Sequence, residues 1–423
     1  MKHRISNFDA LNVSPARTDA LAIAEAGYAA IDTETVLRSR LVLDGTTLAV
    51  GNRSFDLSMF DRVKLLGFGK ASCKAVQTIE QILQGHVAEG VAIDVHPGVC
   101  DIVDVVQGTH PRPSPANVAV SEKLVAMAKV STERDLVFVV VSGGGSSLLC
   151  WPLEECEQSS KLYDDFTRVG GTIEEMNTVR KHISSVKGGG LAQILYPASV
   201  VAFIFCDVPG DHFEDVASGP TYYDASTVAD AQAVLDRYSL TDYSLSETPK
   251  ERKFFEHTYN VPIVSNTLAL DGMASAATSL GYRVVGAGAA LYETPGELVE
   301  KMLAKLQDGV AVIAGGEPRL VVSKKGGKGG RCSFVALEAL SRISPRDILV
   351  AFSSDGIDNS DAAGAIADEV TVKKVKEKNI SIDKQLASFD SYTIFEQTGD
   401  LIMTGSTDAN VSDLFLCLRT KGA

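Results

Sequence analysis

Five apolar residues in a row, Val137–Val141, run through Ser142 into Gly143-Gly144-Gly145 and then Ser146-Ser147. An apolar run with no polar alternation predicts a strand covered on both faces, which is the environment of a sheet sandwiched between helices. The glycines let the backbone approach a ligand closely and turn its N–H groups inward. A helix opening just beyond would add positive potential. This chemistry suits a phosphate or another anion, although a purely structural turn uses the same residues.

The pattern recurs along the chain. Val63–Gly67 ends in Gly67-Phe68-Gly69-Lys70-Ala71-Ser72, Val91–Val95 reads as another strand, and Val200–Cys206 delivers Asp207 at its end. Strand–helix alternation resumes with Val261–Val264, Arg283–Ala287, Val310–Ala314 and Ile348–Phe352, and a last strand is expected at Leu414–Leu418. This is the βαβ signature, so the expected fold is α/β. At 423 residues the chain exceeds what one core usually organises, so two α/β domains with mostly parallel sheets are expected. The polar stretch Ser239–Asn260 marks the boundary. It gives residues 1–245 as an N-terminal Rossmann-like domain and 246–404 as a C-terminal one, with the tail 405–423 packing back on the first.

Strand ends and glycine loops carry the reactive side chains. Lys70 follows a glycine-framed strand end, where a solvated lysine is disfavoured by a helix dipole, so it is read as an anion ligand. Asn177, Arg180, Lys181 and Ser184 recur at three- and four-residue spacing, and Lys187 leads into three glycines. A second glycine loop, Gly326–Gly330, carries Lys324, Lys325, Lys328 and Arg331 around it, after a strand expected to run to Ser323. A guanidinium such as Arg331 grips phosphate or carboxylate with two prongs. Asp355 and Asp358 could bind Mg²⁺ or form an Asx turn, and Asp361 is expected to cap a helix running to Ala367. His110, beside prolines, reads mainly as structural, with acid–base chemistry as the second reading.

Composition excludes several classes. A net charge of −14 argues against a general nucleic-acid binder. No apolar run approaches the roughly 20 residues that span a bilayer. Seven scattered cysteines form neither a disulfide framework nor zinc spacing, which leaves the cytoplasm as the expected compartment. There is no Walker loop, protein-kinase motif set or complete dinucleotide fingerprint. Phosphoryl transfer fits the loops that remain, because it needs positioning and charge neutralisation more than covalent chemistry.

The ordered set GFGKAS, SGGGSSLL, NTVRKHISSVKGGGLA, DVPGD, SGPT, GGEP, GGR, DGIDNSDAAGA and TGSTDANVSDL resembles the glycerate 2-kinase family with its MOFRL C-terminal domain. The resemblance spans about residue 15 to the end. It implies ATP-dependent phosphorylation of D-glycerate to 2-phosphoglycerate with Mg²⁺, two α/β domains and an active site in the cleft between them. It puts Lys70 and Arg331 in anchoring and transition-state roles. Asp207 becomes base or metal-orienting group. Ser142, Gly143, Gly144, Gly145, Ser146, Asn177, Arg180, Lys187, Glu317 and Asn410 become substrate or nucleotide contacts, and Asp355 and Asp358 metal ligands. A homo-oligomer is allowed.

The chain departs from the family pattern at Cys332-Ser333-Phe334, where Asn-Gln-Glu is usual, at Ser354–Asn359, and at Thr404–Val411, which marks a divergent branch. Two other readings stand beside the kinase: a nicotinamide-dependent hydroxypyruvate reductase and a non-catalytic binder of small phosphorylated acids. A kinase acting on a related small hydroxy acid is a further variant.

Overall fold

The computed structural model describes residues 3–322 and 326–421 and divides into two compact units. One comprises Thr33–Val208 and His212–Val264, and the other Met1–Asp32, Pro209–Asp211 and Ser265–Ala423.

The Thr33–Val264 unit is built on a six-stranded sheet whose order is Val103–Gln107, Val87–Asp94, Arg62–Phe68, Asp135–Ser142, Ser199–Phe205, Thr258–Val264. Every pairing is parallel. Asp135–Ser142 is buried at every position, as its apolar run predicts. From Arg62–Phe68 the chain first adds strands on one side, then returns and builds outward from the other. The order reverses between Arg62–Phe68 and Asp135–Ser142, and in such sheets ligands bind outside the carboxyl ends at that point. A small antiparallel meander, Leu41–Asp44, Thr47–Val50 and Arg53–Asp56, completes the β structure of this unit. Cys150 and Cys156 are joined by a disulfide.

The second sheet runs Arg283–Leu291, Val310–Gly316, Asp413–Arg419, Asp347–Ser353, Gly364–Asp368, Leu401–Ile402. It is α/β as expected but mixed rather than mostly parallel: the first pairing is parallel and the other four are antiparallel. The βαβ reading holds for direction, since Val310–Gly316 and Asp347–Ser353 point the same way. The crossover, however, leaves one strand's width between them, and Asp413–Arg419 fills it in the opposite sense. The tail strand therefore lies inside this sheet, as one of its central strands.

Two further boundaries move. The parallel sheet is not complete until Thr258–Val264, so the division falls after Val264 and not at residue 245. The opening helix is two helices, Pro15–Ala30 and Thr33–Arg40, and the first belongs with the C-terminal unit. It packs on Asn266–Ser279 so closely that a Cβ on Gly272 would lie 2.6 Å from Ala30 Cβ. Residues 320–322 form no strand, and Ser323, Lys324 and Lys325 lie outside the described residues. Gly364–Asp368 is a strand, so Asp361 caps no helix there; it accepts from Lys328 Nζ at 2.9 Å and Tyr392 O–H at 3.2 Å.

Arg17 explains why the first helix is held. Its guanidinium is fully buried and donates to Asp368 twice at 2.7 Å, to Asp400 at 2.8 Å and to Thr371 Oγ1 at 3.0 Å. Removing one partner of a buried network leaves the others uncompensated. Arg17→Ala is expected to cost this unit about 3–5 kcal/mol, read as a lowered urea midpoint; a loss under about 1 kcal/mol would show that the network contributes little.

Candidate active site

At the switch point two loops are tied together by their backbones. The N–H of Lys70 donates to the carbonyl of Gly143 at 2.9 Å, and that of Ala71 donates to Ser142 Oγ at 3.1 Å. Gly69 has φ +117°, and a Cβ there would lie 2.1 Å from Ser142 Oγ. Only glycine allows this contact. Ser142 is buried, and its hydroxyl serves this junction. The carboxylate of Asp207 lies directly against Gly143, where a Cβ would come within 2.1 Å of Oδ2. Lys70 and His110 flank Gly144, with Lys70 Cγ 3.3 Å and His110 Cδ2 3.0 Å from a Cβ built there.

A hydrogen-bonded chain leads away from the loop. Ser146 Oγ and Ser218 Oγ are 2.9 Å apart, Ser218 Oγ donates to Asn177 Oδ1 at 3.1 Å, and Arg180 Nη1 donates to the same oxygen at 2.7 Å. The sequence reading offers Ser146, Asn177 and Arg180 as ligand contacts and Ser218 only as the start of the SGPT turn. Ala217 and Ser218 have φ of +52° and +61°, and successive non-glycine residues in that region are strained. No residue-type signal announces this strain. Lys187 lies near Arg180 but is engaged by other partners. Its buried ammonium pairs with Glu155 and donates to the Leu149 carbonyl at 2.9 Å, and burial lowers its pKa. In this structure it is a strut beneath the loop.

His110 stands at the rim of a cavity of about 260 Å³. Partial burial, then the Lys70 and Arg180 charges, pull its imidazole down to about 4, so it is neutral at pH 7. Burial also lowers Arg180, to about 10, which leaves it charged.

In the C-terminal unit, Arg331 opens the helix Arg331–Ala339. Its Nε donates to Asp413 Oδ2 at 2.8 Å and its Nη1 to Glu317 Oε2 at 3.3 Å. Burial opposes its charge, but Asp413 and Glu317 outweigh it and the pKa rises. Asp358 accepts from the N–H groups of Cys332 and Ser333 at 2.9 and 2.8 Å and from Ser333 Oγ at 2.7 Å. It caps this helix, and its oxygens are occupied by that task. Asp355 forms an Asx turn, accepting from Ile357 N–H at 2.9 Å and Ser353 Oγ at 2.6 Å. Both of these bonds to Asp355 fall on Oδ1, whereas both oxygens of Asp358 are engaged. Among the described residues, His212, Glu214 and Asp215 offer ligand atoms within 4.8 Å of one another, but Lys181 Nζ stands 3.6 Å from Asp215. Asn410 is half-buried in the segment of chain that connects Leu401–Ile402 to Asp413–Arg419, and Lys328 is held by Asp361 and the Tyr392 ring.

Asp413 is the group in this cluster that titrates near neutrality. Burial raises it to about 7; Arg331 opposes that rise, while Asp358 and Glu317 add to it. The folded protein therefore holds this proton between about pH 4, where an unfolded aspartate releases it, and pH 7. Over that window the group's stabilising contribution is lost as pH rises, by a few kcal/mol in order of magnitude. Asp413→Asn is expected to flatten that decline in urea midpoints measured from pH 5 to 7.5; an unchanged slope would assign it to other groups.

Comparison with known proteins accounts for both units. Residues 19–250 match a domain family of unknown function, DUF4147, and residues 310–413 match the MOFRL family. The glycerate 2-kinase of Pyrococcus horikoshii is 32% identical over 94% of this chain and 96% of its own. The D-glycerate 2-kinase of Thermotoga maritima is 34% identical over 85% and 91%. A crystal structure of glycerate kinase from Thermotoga maritima superposes with a TM-score of 0.83 at 30% identity, covering 95% of this chain and 99% of that one. With relatives matched nearly end to end and both domain families in order, this chain belongs to the glycerate kinase family, in its class II branch with a MOFRL domain.

Proposed function

We propose that this protein transfers the terminal phosphoryl group of ATP to the 2-hydroxyl of D-glycerate, giving 2-phosphoglycerate and ADP. The observation that carries the reading is the end-to-end match to glycerate 2-kinases. The chemistry at the switch point supports it: a lysine, a buried arginine and a glycine loop converge where a doubly wound sheet binds its ligands.

The acceptor oxygen attacks the terminal phosphorus, the bond to the bridging oxygen of ADP breaks, and the hydroxyl proton leaves. Asp207, at a strand end and against Gly143, is the proposed base. Lys70 and Arg180 are proposed to neutralise anionic groups of the ligands. Arg331 is proposed to stabilise the transferring phosphoryl, with Asp413 and Glu317 holding its guanidinium in one orientation. Mg²⁺ would supply charge neutralisation as the chelate of ATP, and no residue pair is assigned to hold it. Ser146 and Asn177 are proposed to shape the acceptor side, Glu317 to act through Arg331, and Asn410 to contact the nucleotide. As a user of ATP the enzyme is proposed to act in the cytoplasm; no helix among the described residues is long and apolar enough to cross a membrane.

Lys70→Ala and Arg331→Ala are each expected to lower kcat/KM by about 100-fold or more. Asp207→Asn should lower kcat by about 10²–10⁴. Product is read by coupling directly to enolase, which consumes 2-phosphoglycerate but not its 3-isomer. A variant within about threefold of wild type would lose its proposed role, and product that needs a mutase before enolase would move the phosphorylated position. The reductase reading is decided in parallel: NADH with hydroxypyruvate should show no cofactor oxidation.

A further inference from the structure

Within the parallel-sheet unit, the cavity beside the glycine loop contains an imbalance of charge. Arg180 is 8% exposed, yet the side chains that hold it, Asn177 and Met176, are both neutral. The acid whose field favours its charge most is Glu155, which is already paired with Lys187. Two of its five N–H donors are engaged, one by Asn177 Oδ1 at 2.7 Å and one by Met176 Sδ at 3.3 Å. A buried cation in that condition is costly unless a ligand completes it.

A second observation is independent of charge. Ser159 is 6% exposed, lines the same cavity, and its Oγ has no hydrogen-bond partner. Buried hydroxyls are rarely left so. Tyr163, one helical turn further along Leu153–Val169, also lines the cavity. Neither residue falls in a glycine loop or strand end, which is why neither stood out in the sequence.

Size and polarity select the occupant. A volume of about 260 Å³ is below the roughly 300–1,000 Å³ of sites that enclose larger ligands, so a small acid fits better than a whole nucleotide. Ile173, Met176 and Pro113 make part of the wall apolar. One fixed buried charge matches one carboxylate, and the guanidinium fork suits its two oxygens.

We propose that this cavity holds the carboxylate end of the acceptor, with Arg180 as its anchor and the hydroxyls of Ser159 and Tyr163 as the contacts that select a small hydroxy acid. The proposal rests on the kinase reading above and adds which ligand occupies this side of the glycine loop.

The test separates binding of the two substrates. Calorimetry on the full chain measures D-glycerate and ATP singly, for wild type, Arg180→Lys, Ser159→Ala and Tyr163→Phe. Ser159→Ala is expected to weaken D-glycerate about five- to tenfold and Arg180→Lys by about 100-fold, with ATP affinity held within about twofold. Glycerol, which lacks the carboxylate, should not bind wild type. If Arg180→Lys fails to fold, the two hydroxyl variants decide the matter, because both keep the shape of the site. Variant losses that fall on ATP, or hydroxyl variants neutral toward D-glycerate, overturn the proposal while wild-type turnover leaves the kinase reading intact. A wild type that binds none of D-glycerate, lactate and hydroxypyruvate overturns the proposal, and the kinase reading falls with it only where ATP and D-glycerate also give no product.

Discussion

The parallel-sheet unit depends on how closely two loops approach at one point of the sheet. Lys70 can stand beside Gly144 because Gly69 carries no side chain against Ser142, and Asp207 can lie on the loop because Gly143 carries none. These glycines act through the space they leave. Backbone hydrogen bonds between the loops then hold the junction without using the reactive side chains. The strand order explains why the junction is here: adjacent strands whose connections lead away in opposite directions leave their carboxyl ends uncovered.

Two buried cations near that junction illustrate how burial separates a structural charge from an available one. Lys187 and Arg180 are both almost inaccessible, and burial lowers the pKa of both. Glu155 satisfies Lys187 and so makes it part of the framework. Arg180 is held by neutral groups, Asn177 and Met176, which orient it without cancelling its charge. Position in a motif does not distinguish the two; the partner does.

Much of the fold was legible because it is local. Unbroken apolar runs specify doubly covered strands, and glycine after a strand specifies a close turn. Lys70 and Ser146 lie at such strand-end turns, and Asn177 and Arg180 share a helix face that meets them through Ser218. What escaped depends on partners distant in sequence. Glu155 meets Lys187 across 32 positions and Arg17 meets Asp368 across 351, and no spacing rule spans such gaps. The reversed strand Asp413–Arg419 was recognised as a strand, but its place was set by the vacancy between two parallel strands. Ser218 was hidden because its position depends on strained backbone rather than residue type.

The departures around Arg331 have a physical reading of their own. Asp358 sits at the N-terminus of the Arg331–Ala339 helix and takes its first free N–H groups, where a carboxylate is also favoured by the helix field. Gly330 permits that approach, since a Cβ there would fall 2.2 Å from Asp358 Oδ1. Ser333, one of the residues outside the family pattern, adds its hydroxyl to the same carboxylate, and Cys332 beside it is fully buried. Ser333 therefore serves the support of the helix, whereas the Cys332 thiol lies against Asp413, which with Glu317 directs the Arg331 side chain. Asp413 and Glu317 themselves lie outside the divergent stretches, so the divergence changes what surrounds the groups that orient the guanidinium and leaves those groups in place.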